Sequence, residues 1–279
     1  MLLSLVWAQE SSSPPSPKGP EMKPAVALVA RVTGVATFTD FALGEEGRVE
    51  PKMKFKQGVT INTGPDGMVI LLFSNGSSLT IKPSTTISIE EYLQAPVPES
   101  APALDALDRE PTTSKTKLRL LEGDIVGSVK KLNSEEGSTY EIDSPVGTAG
   151  IRGTNYEFSV KSEGVQEKRG RFGIAVGNGI FIPLGRDPDV VNGLEEITFT
   201  GRVNPNGTVT ITSLQANTMS QANATRINLS ASTAKQLFEL FTGSDFNPLQ
   251  PGIFGGTIDF IPGPAPPQTP RVTPNQGER

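Results

Sequence analysis

The chain of 279 residues contains no cysteine and no histidine. Without cysteine there are no disulfides, no thiolate metal ligands, no cysteine nucleophile and no lipid-bearing cysteine of the bacterial lipoprotein kind. A chain of this length buries a core without covalent staples. Without histidine the side chain most used for proton transfer near neutral pH is missing, and so is the commonest metal ligand. Any catalysis would fall to carboxylates, Ser, Thr, Lys or Tyr. Oxygen ligands alone suit Ca²⁺ or Mg²⁺, but the alternating Asp and Asn of a calcium loop do not occur, so no cofactor and no metal are expected. Positive charge is in deficit, with 25 Lys+Arg against 30 Asp+Glu and a net charge of -5. No basic field is available to displace counterions from a phosphate backbone, which argues against nucleic-acid binding. Three Tyr and one Trp are too few for the aromatic girdles of an outer-membrane barrel. No apolar run approaches the roughly 20 residues that cross a bilayer, and Met68-Val-Ile-Leu-Leu-Phe73 is strand-sized, so no transmembrane span is expected.

Met1-Leu-Leu-Ser-Leu-Val-Trp-Ala8 ends in a small residue, as a signal-peptidase site does, but it is short and lacks a basic n-region. The expectation is a reading frame that starts upstream and a mature chain beginning near Gln9; the alternative is an ordinary N-terminus. Gln9 to Pro24 is Ser- and Pro-rich and reads as an extended leader. Residues 1–24 are therefore assigned to a signal remnant and leader, and structure is expected from about Ala25.

From there the chain is written in short β-branched or aliphatic runs separated by turn signals. The runs are Val29 to Phe38, Val59 to Asn62, Met68 to Phe73, Ser78 to Lys82, Thr86 to Ile89, Lys117 to Leu121, Asp124 to Leu132, Ser138 to Ile142 and Asn155 to Lys161. Asn75-Gly76 predicts a tight hairpin, since both residues tolerate positive φ. Met68–Phe73 is apolar on both faces and reads as a central strand. Gln94 to Ser114 carries Pro96, Pro98, Pro102 and Pro111 and reads as an excursion with a helical turn near Leu104 to Leu107. Further strands are expected at Arg171 to Leu184, Glu195 to Val203 and Thr208 to Leu214. One helix is expected from about Ala231 to Phe241, capped by Ser230, with Leu237, Leu240 and Phe241 as its apolar stripe and Gly243 beyond its end. The fold class is thus all-β with one short C-terminal helix. The organisation is a β domain over 25–165 with a Pro-rich insertion at 94–116, a β-rich extension with the helix over 166–247, and a Pro/Gly-rich tail over 248–279.

Gly147, Gly150, Arg152, Gly153 and Thr154 form the most specific motif. A guanidinium beside glycine-rich backbone can hold an anion, which makes this a possible recognition loop. The architectural reading has the glycines permitting turns, Arg152 bonding to strand carbonyls, and Thr154 opening the strand that carries Tyr156 and Phe158. Ser128-Val-Lys-Lys131 matches the Ser-x-x-Lys signature, but on a strand Ser128 and Lys131 point to opposite faces. The acid pairs Glu45-Glu46, Glu90-Glu91, Glu135-Glu136 and Glu195-Glu196 raise the possibility of glycosidase chemistry, yet strand neighbours also point apart. No catalytic residue is assigned.

Gly58-Val-Thr-Ile-Asn-Thr-Gly-Pro-Asp-Gly67, Leu71 to Pro83, Leu120 to Val126 and Asp143 to Val160 follow one another in the order of one known domain. With Ala30 to Ala36 as an opening strand, Val29 to Val160 resembles a FecR-like domain. The resemblance implies an all-β extracytoplasmic fold, a β-roll or solenoid-like sandwich, found in bacterial envelope proteins. Members of that family sense an occupied outer-membrane transporter and relay its state to a sigma factor. This sequence shows neither the membrane span nor the anti-sigma segment of that plan. A stand-alone exported member, periplasmic or secreted, is expected instead. It would be a non-catalytic binding or scaffolding module whose partner is an envelope protein or a cell-wall polymer; the alternative is a carboxylate-dependent glycan hydrolase.

Overall fold

A computed structural model describes residues 21–98, 101–241 and 243–246. The readings made for the signal remnant, most of the leader and the tail lie outside these residues. In chain order the strands are Lys23–Pro24 (β1), Ala27–Thr33 (β2), Ala36–Asp40 (β3), Glu45–Arg48 (β4), Lys54–Phe55 (β5), Val59–Thr63 (β6), Met68–Phe73 (β7), Ser78–Ile81 (β8) and Thr86–Gln94 (β9). They continue as Ser114–Ser128 (β10), Thr139–Ser144 (β11), Gly147–Glu163 (β12), Glu167–Pro183 (β13), Asp189–Asn192 (β14), Glu195–Val203 (β15) and Val209–Thr218 (β16), followed by the helix Gln221–Phe238 (α1). The all-β class with one C-terminal helix is what the sequence implied.

The strands form two leaves that share their longest members. One leaf runs β5-β2-β7-β8-β10-β12-β13-β15-β16. The other runs β4-β3-β6-β9-β10-β11-β12-β13-β14. β10 pairs with β9 along its first half and with β8 from Ile125 onward. β12 pairs with β11 up to Gly150 and with β10 from Asn155. β13 pairs with β15 up to Ile174 and with β14 from Asn178. Each long strand therefore passes from one leaf to the other, a corner of the kind made by bulges and bends.

Crossing the corner also moves the buried face by one residue. In β12 the side chains that enter the core between the leaves are Ala149 and Ile151 before the corner, and Tyr156, Phe158 and Val160 after it. In β13 they are Phe172 and Ile174, then Phe181. The extra residue falls at Gly153 (φ 70) and Gly177 (φ 90), both in the left-handed region. A Cβ on Gly177 would sit 2.4 Å from the Gly153 carbonyl oxygen. The corner is thus a stacked pair of bulges that admits no side chain at its inner position.

Between the leaves lies one continuous core, and aromatic pairs bridge it. Phe38 of β3 meets Phe55 of β5 with ring centroids 5.2 Å apart, and Phe73 of β7 meets Tyr92 of β9 at 5.0 Å. Tyr140 of β11 meets Tyr156 beyond the β12 corner, their hydroxyls 3.1 Å apart. Phe181 packs on both Phe158 and Phe199 at 5.9 and 5.5 Å. Such pairs contribute about 0.5–1.5 kcal/mol each beyond the area they bury. The strands from Glu167 to Thr218 share this sheet, and their buried apolar residues this core, with what precedes them. Odd residues of β7 enter the same core while Ile70 and Leu72 lie under α1, as expected of a central strand.

Several local expectations change. Among the described residues the first strand starts at Lys23, which pairs with Gln94. The run Val29 to Phe38 breaks at Gly34, and the two runs placed at Lys117 to Leu121 and Asp124 to Leu132 begin as the single strand β10. The helical turn expected near Leu104 to Leu107 in the 94–116 excursion is present as a 3₁₀ turn, Leu104–Ala106, and the excursion's last residues already belong to β10. At the β7–β8 hairpin only Gly76 has positive φ (83). Asn75 acts through its side chain, which accepts from the Ser77 N–H at 3.0 Å and donates to Ser114 Oγ at 3.0 Å. The helix starts ten residues before the expected Ala231, with Ser220 rather than Ser230 as its cap; Ser220 Oγ accepts from the Asn223 N–H. The first turns are rich in Asn, Thr and Ser, which have weak helix propensity, and packing of Ala224 and Ile227 on Val126 and Ala175 overrides it. Of the expected apolar stripe Leu237 is buried and Phe241 packs partly buried against the same cluster, whereas Leu240 is exposed and Phe238 packs beside Leu237.

Gly177→Ala is expected to lower stability by about 2 kcal/mol or more, because strain and a backbone clash coincide. Gly150→Ala, whose Cβ would meet only the Ile180 carbonyl oxygen at 4.0 Å, should stay within about 0.5 kcal/mol. Urea unfolding of the two variants beside the parent checks this, and equal midpoints would remove the corner constraint.

Candidate functional site

The Arg152-Gly153-Thr154 motif is the corner itself. It lies inside β12 and not in a turn ahead of a strand. Thr154 is buried; its hydroxyl donates to the Asn178 carbonyl at 2.7 Å, and its backbone exchanges two 2.9 Å hydrogen bonds with Val129. Three strands are joined at this residue. Gly147 opens β12 after a tight turn, where Ser144 Oγ donates to its carbonyl. Gly150 lies two residues before Arg152 on the same outward side. Arg152, expected to bond strand carbonyls, does not do so: its side chain is exposed and has no hydrogen-bond or ionic partner among the described residues. It stands opposite Asn178 on β13, in line with Ile180 and Ile182. Val190 of β14 faces Ile180, and these three apolar side chains are exposed. A charged tip beside an uncovered apolar strip is thus presented on the outer face of the open leaf.

On the other leaf, α1 lies across β7, β8, β10, β12 and β13. Eighteen residues of helix extend about 27 Å, enough to cross five or six strands spaced about 4.8 Å apart. One buried carboxylate fixes its position. Glu157 of β12 is 3 % exposed and takes Lys82 Nζ at 3.1 Å, Arg226 of α1 at 2.7 Å, and Arg171 of β13 in a still closer contact. Burial pushes the Glu157 carboxyl up, but the hydrogen bond from Arg226 and the charges of Lys82, Arg171 and Arg226 outweigh it and hold the group down at about 2. Sequence reading missed this residue. Its only signal is an acid between Tyr156 and Phe158, at an outward position of a strand buried on both faces.

Between α1 and the sheet runs a polar groove of about 360 Å³. Its sheet wall holds Gly76, Ser78, Ser128, Lys130, Asn155 and Val176, and its helix wall Asn228, Ala231, Ser232, Lys235 and Phe238. Lys130 donates closely to the Leu107 carbonyl. Burial first, and then the charge of Lys235, push the Lys130 ammonium down, against a partial offset from Asp108 and Asp105. Asn155 Nδ2 donates to Asn228 Oδ1 at 3.0 Å and ties the walls together. The groove end at Gly76 is anchored by the buried set below it, in which Ser114 Oγ accepts from Asn75 and donates to the Glu110 carboxylate at 2.5 Å.

Ser128 lines this groove with Lys130 and not with Lys131, which pairs with Arg109 in an isolated bridge. The acid pairs do not face one another. Glu45 and Glu46 sit on the short strand β4, Glu90 binds Arg119 and Lys117, Glu136 accepts from Thr113, and Glu195 accepts from the Asn192 N–H. Among the described residues no cluster of carboxylates could hold a metal ion, and no helix is long and apolar enough to cross a membrane.

A family model described as FecR protein matches residues 59–179. Two crystal structures of a protein described as an anti-sigma factor from Parabacteroides distasonis ATCC 8503 are similar to the chain at 10% identity and a TM-score of 0.39. The match covers 60% of this chain and 62% of that one, so the chain spans less than two thirds of that relative's length. No curated protein matches the chain.

The Glu157 carboxyl ionises near 4.5 when free and near 2 in the fold, so its contribution is complete above pH 4.5 and is lost as pH falls toward 2. The loss amounts to about 3 kcal/mol. Glu157→Gln should remove this acid-limb dependence and lower stability at pH 7 by about 3 kcal/mol. Denaturant titrations of both proteins from pH 7 to pH 2.5 check it; parallel acid limbs would show that another carboxylate governs acid stability.

Proposed function

Residues 59–179 of this chain are a FecR domain, and from that premise we propose that the protein is a non-catalytic, extracytoplasmic binding module of a bacterial cell envelope. Its docking surface is the outer face of the open leaf, where Arg152 stands beside Ile180, Ile182 and Val190. The observation that carries this reading is the uncovered apolar strip next to a guanidinium with no partner among the described residues. Exposed apolar side chains beside an unpaired charge are a feature of protein-binding surfaces, which draw on apolar anchors and Arg. No aromatic ring is exposed on this strip to stack against a sugar, so the chemistry favours a protein partner with apolar residues flanked by an acid over a hydrated wall polymer. A role in envelope signalling is in keeping with the FecR domain. A periplasmic or secreted location is supported by the small-residue-terminated apolar stub at Met1 to Ala8. The scattered acid pairs offer no support to the glycan-hydrolase reading, which needs two carboxylates across a bond.

The test is affinity capture from envelope extract with the parent, Arg152→Glu and Ile180→Asp, run beside a screen of glycan and ester substrates. A protein retained by the parent and weakened tenfold or more by either variant, at unchanged melting temperature, is the expected result. Capture indifferent to both substitutions, or of wall polymer alone, would overturn the docking surface. Turnover abolished by replacing one acidic residue would overturn the non-catalytic reading. Mass spectrometry of the native N-terminus in envelope and cytosolic fractions checks the location.

A further inference from the structure

The groove under α1 has a composition at odds with the chain around it. The protein carries a net charge of -5, yet the residues lining the groove include two lysines and no carboxylate. The hydroxyls of Ser78, Ser128 and Ser232 and the ammonium of Lys235 have no hydrogen-bond partner among the described residues, and Asn228 uses only its oxygen, leaving its amide N–H groups to donate. Donors on both walls thus converge on one space. Lys130 enters it from the sheet side, held toward the Leu107 carbonyl with Asp105 and Asp108 behind it, and Lys235 enters from the helix side. Two cations share a partly desolvated space with one acidic pair set to the side, an arrangement that an anion relieves. The volume of about 360 Å³ exceeds what a bare oxyanion needs and lies in the range of small organic ligands. Three hydroxyls and an amide match a ligand that carries its own hydroxyl groups, and Val176 and Phe238 offer apolar contact for a ring face.

We infer that this groove is a binding site for a small polyhydroxylated anion, of the sugar-acid or sugar-phosphate class, with Lys235 and Lys130 as counter-charges and Ser78, Ser128, Ser232 and Asn228 as hydrogen-bonding partners. The site is built from the wall between α1 and the helix-bearing leaf and does not use the strip around Ile180. Its failure and that of the docking surface are therefore separable. Ligand seated here touches β10, β12 and α1 together, so its occupancy stabilises the helix on the sheet.

Isothermal calorimetry and thermal shift with glucuronate, glucose 6-phosphate, inorganic phosphate and glucose test the assignment. At least one of the two sugar anions should bind and raise the melting temperature, with glucose silent and inorganic phosphate at least tenfold weaker. Lys235→Gln, at an exposed helix position, should weaken binding tenfold or more without changing the unliganded melting temperature, and Lys130→Met should do the same if it folds; Lys115→Gln on an outer strand position should change nothing. No binding of either sugar anion at millimolar concentration, or binding unaffected by Lys235→Gln, would overturn the site. Phosphate binding as tightly as the sugar phosphate would overturn its polyol part.

Discussion

Three strands, β10, β12 and β13, each serve two sheets, and that constraint shapes the rest of the molecule. A strand that leaves one leaf for another must turn its buried side chains through one residue, because alternation along a strand has period two. The chain meets the requirement with an extra residue at each crossing, and at Gly153 and Gly177 that residue has positive φ. Since the bulges stack, the leaves are held at a fixed angle and the aromatic pairs across the core fall into contact. The Arg152 side chain is exposed for the same reason: it lies on the last outward position before the inserted residue.

The second organising element is the charge cluster at Glu157. Arg226 is the one member of the cluster that α1 supplies, and its meeting with Glu157 beside Lys82 and Arg171 pins one point of the helix to the strands, while Ala224, Ile227, Ala234, Leu237 and Phe238 pack the rest. Removing one partner from such a cluster strands the remaining charges in a poorly solvated place. The groove with Lys130 and Lys235 opens along one side of α1 between its contacts at Arg226 and at Leu237 and Phe238, where the sheet wall carries small residues such as Ser78 and Ser128.

Much of the fold was legible in the sequence, because strand alternation and turn residues are local signals. The central position of Met68–Phe73, the hairpin at Asn75-Gly76 and the all-β class with one helix follow from them. The continuity of β10 and β12 through their glycines was not read. A glycine in a strand pattern looks like an end, whereas the change of phase from Ala149 and Ile151 to Tyr156 and Phe158 marks a bulge. The first half of α1 was missed because Asn, Thr and Ser there are poor helix formers, and only tertiary contacts decide their state. Of the candidate site, Arg152 to Thr154 stands in a motif visible in the sequence. Glu157, Lys130 and Lys235 do not, since nothing in the order of residues brings 130, 157 and 235 together.

All three tyrosines of the chain, Tyr92, Tyr140 and Tyr156, lie fully buried between the leaves. Burial raises each phenol above its ordinary value, and for Tyr92 the hydrogen bond with Ser74 offsets only part of the rise. The folded protein therefore keeps its phenolic protons at a pH where an unfolded chain gives them up, and stability falls as pH rises above about 10. Tyrosinate absorbance in alkaline solution then reports opening of the two leaves, which makes the core its own optical probe.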